Sequence, residues 1–188
     1  MYESVNRMKD GAVVHAFSSF GVYPITSYKV ADTMKVLSEV FCLEFTINQI
    51  QSNDGLAGIL IGRYPGDIYA GGNPWQLLSA VYAKTFYQLA NSIINSNGFS
   101  NSRDKEAWFK LLKISSHSSL RAQVQAAINA GDSVLYRIYQ NVKNDGGHIS
   151  EQMDRVTGAQ MSAKDLTWSY ANILSAMQER NKATSNLA

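Results

Sequence analysis

Residues 62–75 read GRYPGDIYAGGNPW, and residues 150–155 read SEQMDR, followed at 166–170 by LTWSY. Each stretch combines a carboxylate (Asp67 in the first, Glu151 and Asp154 in the second), a tryptophan (Trp75, Trp168) and tyrosine, and the first adds Arg63. An aromatic face stacks on the apolar C–H face of a pyranose ring. A guanidinium offers five N–H donors in a fixed fork to vicinal hydroxyls. A carboxylate beside them can act as a general base on water, or as an acid if its pKa is raised. The same composition also describes structural loops that satisfy their own hydrogen bonds.

Little else in the chain points to chemistry. His15, His117 and His148 are scattered without ligand spacing, and the single cysteine, Cys42, excludes an internal disulfide and any multi-cysteine metal site. No metal or other cofactor is called for. Lys+Arg is 17 and Asp+Glu 15, a net charge of +2, too small to argue for a nucleic-acid or membrane-surface partner. A hydrophobic fraction of 45% excludes disorder as the main state. Residues 1–10 carry no apolar targeting region, and no apolar run approaches the roughly 20 residues that span a bilayer. The default expectation is an intracellular location.

The elements that must position the two stretches read as helices. Val30, Met34, Leu37 and Phe41 repeat on one helix face, which predicts a helix over 29–44. Asn73 and Pro74 have the form of an N-cap and first turn. Leu78, Val81, Tyr82, Phe86, Leu89 and Ile93 then continue a helix to about 95. A short helix is expected over 103–113, with Trp108 in the core, and a long one over 118–143, where Gly131 is a candidate kink. Asp145 to His148 form a sharp turn. Ser162 to Asp165 (SAKD) has capping-box form ahead of a last helix over 163–181, and the tail beyond should fray. Residues 56–61 (LAGILI) fit a short strand or a buried apolar run. The class is all-α, with long polar loops over 46–73 and 143–161 of the kind that carries function.

The first string resembles the GRYPEDxYxGGNPW signature of glycoside hydrolase family 15, the glucoamylases. The second is similar to the family's C-terminal signature, in which SEQ precedes LTWSY at this spacing. Residues 30–48 also read like the family's approach to the first signature. The resemblance implies an (α/α)6 barrel that releases glucose by inversion from the non-reducing ends of α-1,4-glucans such as starch, glycogen or maltodextrin. It implies that Glu151 is the general base activating water. Arg63, Tyr69, Trp75 and Trp168 would bind substrate. Ser162, matching a serine that hydrogen-bonds near the base, and Asp67, a motif acid near the site, would support them. Residues 1–182 would form the C-terminal part of a glucoamylase-like catalytic domain, and 183–188 a frayed tail.

Two departures qualify this. Gly66 replaces an acid of the motif, and nothing before Gly62 resembles the family's segment carrying the general acid or its upstream arginine–aspartate pair. Inversion needs two carboxyls about 6.5–9.5 Å apart, so the chain is expected to carry the base without the acid. The family barrel uses twelve helices, and the pattern here supplies about five. Apolar helix faces left wet would forfeit more than the whole net stability of a typical domain, about 5–15 kcal/mol. The missing N-terminal part of the barrel is therefore an expected partner beside the α-glucan. A non-catalytic carbohydrate-binding remnant and an inactive truncated fragment are the alternatives. Full-length relatives are commonly secreted or vacuolar, which qualifies the intracellular default.

Overall fold

A computed structural model describes residues 7–53 and 58–187. Among them lie seven α-helices: α1 (Val13–Ser18), α2 (Tyr28–Glu44), α3 (Thr46–Asn53), α4 (Gln76–Ser96), α5 (Ser102–Leu112), α6 (Leu120–Val142) and α7 (Thr167–Leu187). Two short strands, β1 (Gln152–Met153) and β2 (Gln160–Met161), pair antiparallel with Gln152 opposite Met161. The chain is all-α, as its helical periodicity requires. None of the described helices is long and apolar enough to cross a membrane.

α4 is the central helix and packs against α1, α6 and α7, while α2 packs on α5. Its residues are buried almost all round, among them Leu77, Val81, Leu89 and Ile93. That is the burial expected of a helix with neighbours on several sides. Gly131 does not kink α6, which is continuous. Its role is close approach: a Cβ there would lie 2.6 Å from the ring of Tyr87 on α4. Side-chain caps from Ser27, Asn101 and Ser119 start α2, α5 and α6, each worth about 1 kcal/mol.

The elements differ from the sequence reading in several places, beginning with α1, which lies where no helix is expected. Part of the expected 46–73 loop is α3. α4 begins at Gln76, and Asn73 is not its cap: Trp75 is extended (φ −104°, ψ 125°) because it bridges to Gln152. α7 begins at Thr167, because Ser162 and Asp165 adopt left-handed backbone (φ 65° and 49°) instead of capping a helix. At its far end, where fraying is expected, α7 runs to Leu187, with Ala183 fully buried and Arg121 donating to the Leu187 carbonyl at 3.0 Å.

The 56–61 run falls partly outside the described residues, and its described part is no strand. The Leu60 N–H donates to Asn48 Oδ1 at 3.0 Å and its carbonyl accepts from Asn48 Nδ2 at 2.9 Å. Ile61 N–H goes to Ser79 Oγ at 3.0 Å. Buried side chains thus take the ladder's place for backbone groups that must be paired. Arg137, fully buried, closes this bracket on the carbonyl and side chain of Asn48. Desolvation pushes its pKa down to about 10, so it stays charged at neutral pH.

Candidate functional site

The first loop, residues 62–75, is held by its own turns. Asp67 Oδ1 accepts the Tyr69 N–H at 3.0 Å, and Asp67 Oδ2 faces Arg63 Nη1 at 3.7 Å. The Arg63 guanidinium lies over the Tyr64 and Tyr69 rings, 5.2 and 5.1 Å from their centroids. Asp67 is buried, whereas Tyr69 is exposed and Arg63 half-buried. The pair is thus an inward acid orienting a cation that lies at the surface beside an open aromatic ring. Gly72 (φ 62°) makes the return possible, because a Cβ there would sit 1.7 Å from the Asp67 carbonyl oxygen.

Asn73 then crosses to the second loop. Its Nδ2 donates to Ala70 O at 2.9 Å and Gln152 Oε1 at 3.2 Å, and its Oδ1 accepts the Arg155 N–H at 3.1 Å. Met153 N–H donates to Pro74 O at 3.0 Å. Arg155 Nη1 reaches Gly72 O at 3.3 Å, its Nη2 reaches Glu44 Oε1 at 2.8 Å, and its guanidinium lies over Phe45. The two signature stretches are therefore one unit, anchored on the end of α2.

Glu151 has its main chain fixed on both sides. Its N–H donates to Ala163 O at 2.9 Å, and its carbonyl accepts the Gln76 N–H at 3.2 Å. The latter is one of the otherwise unpaired donors of α4's first turn. Its neighbours Ser150 and Gln152 are buried. The start of α7 braces the same segment: Ser169 Oγ donates to Ser150 O at 3.0 Å, Ile149 N–H to Tyr170 Oη at 3.0 Å, and Leu166 N–H to Ile149 O at 3.1 Å. The SEQ and LTWSY parts are thus cross-linked directly. The half-buried Glu151 side chain makes no hydrogen bond or ion pair with the described residues.

The remaining expected residues fall differently. Trp75 is half-buried, directly before Gln76 and bridged to Gln152. Trp168 is 53% exposed and lies against His15 of α1. Ser162 is exposed and makes no hydrogen bond to Glu151; its neighbour Ala163 supplies the carbonyl that holds the Glu151 backbone.

The other acids of the second loop are engaged. Asp154 accepts from the N–H groups of Thr157 and Val156 at 2.7 and 3.0 Å, and the Thr157 hydrogen bond foremost holds its carboxyl below the ordinary range. Asp165 accepts from Tyr170 Oη at 2.6 Å and pairs with His148 Nδ1 at 2.9 Å, and these partners lower its pKa in that order. Among the described residues no group of three or more His, Cys, Asp or Glu is gathered for a metal ion.

Gln152 and Arg155 lie within the SEQMDR stretch and Gln76 directly follows the first stretch, but their bridging roles, like that of Asn73, were not legible in the sequence. Only Asn73 carried a local signal, and that signal suggested a helix cap.

The family model described as Glycosyl hydrolases family 15 matches residues 5–178. The chain is 31% identical over 190 aligned residues to a glucoamylase of Blastobotrys adeninivorans, covering 90% of this chain and 30% of that protein. It is 32% identical over 167 residues to glucoamylase P of Amorphotheca resinae, covering 84% and 26%. The solved family 15 glucoamylase of Hypocrea jecorina superposes with a TM-score of 0.82 at 25% identity, covering all of this chain and 35% of the other. The shared architecture is that of the (α/α)6 barrel. The chain spans under a third of the length of both curated relatives.

Proposed function

The chain belongs to glycosyl hydrolase family 15, and from that premise we propose that it carries the general-base side of a glucoamylase-type site. The substrate class is α-1,4-glucan, cleaved from the non-reducing end with inversion. Glu151 takes the proton of the attacking water. Arg63 binds sugar hydroxyls, and Tyr69, Trp75 and Trp168 offer ring faces. Asp67 orients Arg63, and Ser162 stands beside the segment that holds Glu151.

The observation that carries this reading is the two-sided main-chain lock on Glu151, by Ala163 O and the Gln76 N–H directly after Trp75. A base positioned by backbone on rigid elements keeps its geometry when substrate displaces water. Its carboxylate makes no bond to the described residues, which leaves it available to a water molecule.

The general acid needs a raised pKa. Hydrogen bonds hold the Asp154 and Asp165 carboxyls below the ordinary range, the opposite of what that role requires. This favours, as a second reading, sugar binding without turnover when the chain acts by itself. Both readings are tested by glucose release from maltotriose and soluble starch, with Glu151→Gln as control. Release that disappears in the variant supports hydrolysis by this chain. Maltotriose binding without release supports the second reading. A cooperatively folded chain that neither binds nor cleaves overturns both.

A further inference from the structure

His15 stands on α1, outside both signature loops, yet it meets the tryptophan of the second. The two ring centroids are 6.1 Å apart with planes inclined by 32°. Trp168 keeps about half its surface open, so the indole is backed on one part and free on the rest. His15 Nδ1 lies 3.2 Å from Ser19 Oγ, and its Nε2 is buried with no hydrogen-bond partner.

We propose that His15 is a positioning residue for Trp168: its ring backs the indole and fixes the open face on which a glucose ring stacks. The proposal rests on the reading of Trp168 as a sugar-binding residue. Burial first, and then the charge of Lys84 on α4, hold the His15 pKa below the ordinary imidazole value. Among the described residues, α7 presents the indole to this ring, α1 itself presents Ser19, and α4 presents the Lys84 ammonium. An imidazolium would therefore bury an N–H without an acceptor, close to a like charge. Protonation drives the ring toward water and removes the backing of Trp168.

The test uses the 188-residue chain, tryptophan emission from about pH 8 to about pH 5, and maltotriose as the probe. Trp168→Phe identifies the share of the emission that belongs to Trp168. His15→Phe keeps an aromatic backing without a proton, and His15→Gln removes the backing. The expected result is a Trp168 emission change with a midpoint below the ordinary imidazole value, absent from both His15 variants. Maltotriose affinity at neutral pH falls about three- to ten-fold in His15→Gln, the worth of one aromatic contact. His15→Phe retains neutral-pH affinity and loses the weakening in acid.

An unchanged emission titration in His15→Phe, or wild-type affinity in His15→Gln, overturns the proposal. An emission titration that depends on His15, with no maltotriose binding at any pH, supports the coupling of the two rings and overturns the glucan reading of Trp168.

Discussion

The backbone N–H of Arg155 donates to Asn73 Oδ1 at 3.1 Å across 82 positions of sequence. With the Asn73 Nδ2 bonds to Ala70 O and Gln152 Oε1, one buried amide holds the arginine-bearing loop and the glutamate-bearing loop in register. Each loop is shaped by its own turns, but where the two lie relative to each other does not follow from those turns. Each is fixed by the other.

Asn73→Ala removes an acceptor and two donor bonds at a buried site. Leaving the partners unsatisfied costs about 2–3 kcal/mol. Urea unfolding should show the midpoint fall with little change in slope. A loss below about 0.5 kcal/mol would mean that the remaining cross-loop bonds, from Met153 N–H to Pro74 O and from the Arg155 side chain among them, suffice to hold the loops together.

Asp67→Asn keeps the Oδ1 acceptor for the Tyr69 N–H but removes the charge facing Arg63. The buried carboxylate has an Oδ2 without a hydrogen-bond partner, so losing its charge also relieves desolvation. Stability should change by less than about 1 kcal/mol. The maltotriose Kd should weaken about tenfold, because Arg63 is no longer held over Tyr69. Calorimetric titration and thermal melting separate the two effects.

Gly131→Ala sets helix propensity against packing. Alanine gains about 1 kcal/mol in a helix interior. The new Cβ would meet the Tyr87 ring at 2.6 Å and the Ala83 carbonyl oxygen at 3.1 Å. Overpacking of this kind costs about 1–3 kcal/mol, so the melting temperature should fall. A rise would show that α4 and α6 can separate slightly at this crossing.

Asp132 on α6 accepts Arg180 Nε at 2.6 Å and Nη2 at 2.8 Å from α7, and the Tyr87 hydroxyl at 2.7 Å from α4. Desolvation opposes its ionisation, but the Arg180 and Tyr87 hydrogen bonds and the Arg180 charge outweigh it, and its pKa is lowered. A depressed folded pKa gives stability that is present above the unfolded carboxylate value, near 3.9. That stability is lost as pH falls through the lower folded value. The pair is partly exposed, so Asp132→Asn should cost about 1 kcal/mol at neutral pH. The difference should shrink to nothing in strong acid, as pH-dependent denaturant midpoints would show.

The sequence by itself determined the helices with strong apolar periodicity, because Val30, Met34, Leu37 and Phe41, or Leu78 through Ile93, form faces that only a 3.6-residue period makes contiguous. It also determined the family, through two long in-order strings. Helix α3 escaped because TINQIQSN carries few apolar residues, and its position depends on the Asn48–Leu60–Arg137 bracket. The start of α4 and the start of α7 escaped because their flanking residues bond across the fold. Asn73 and Asp165 each have the form of a local cap, but their side chains pair with Arg155 and Gln152 in one case, and with His148 and Tyr170 in the other. The meeting of His15 with Trp168 has no sequence signal at all. Periodicity reports which face of an element is apolar, whereas a side chain's choice between a local partner and a distant one is settled only when packing brings the distant one within hydrogen-bond reach.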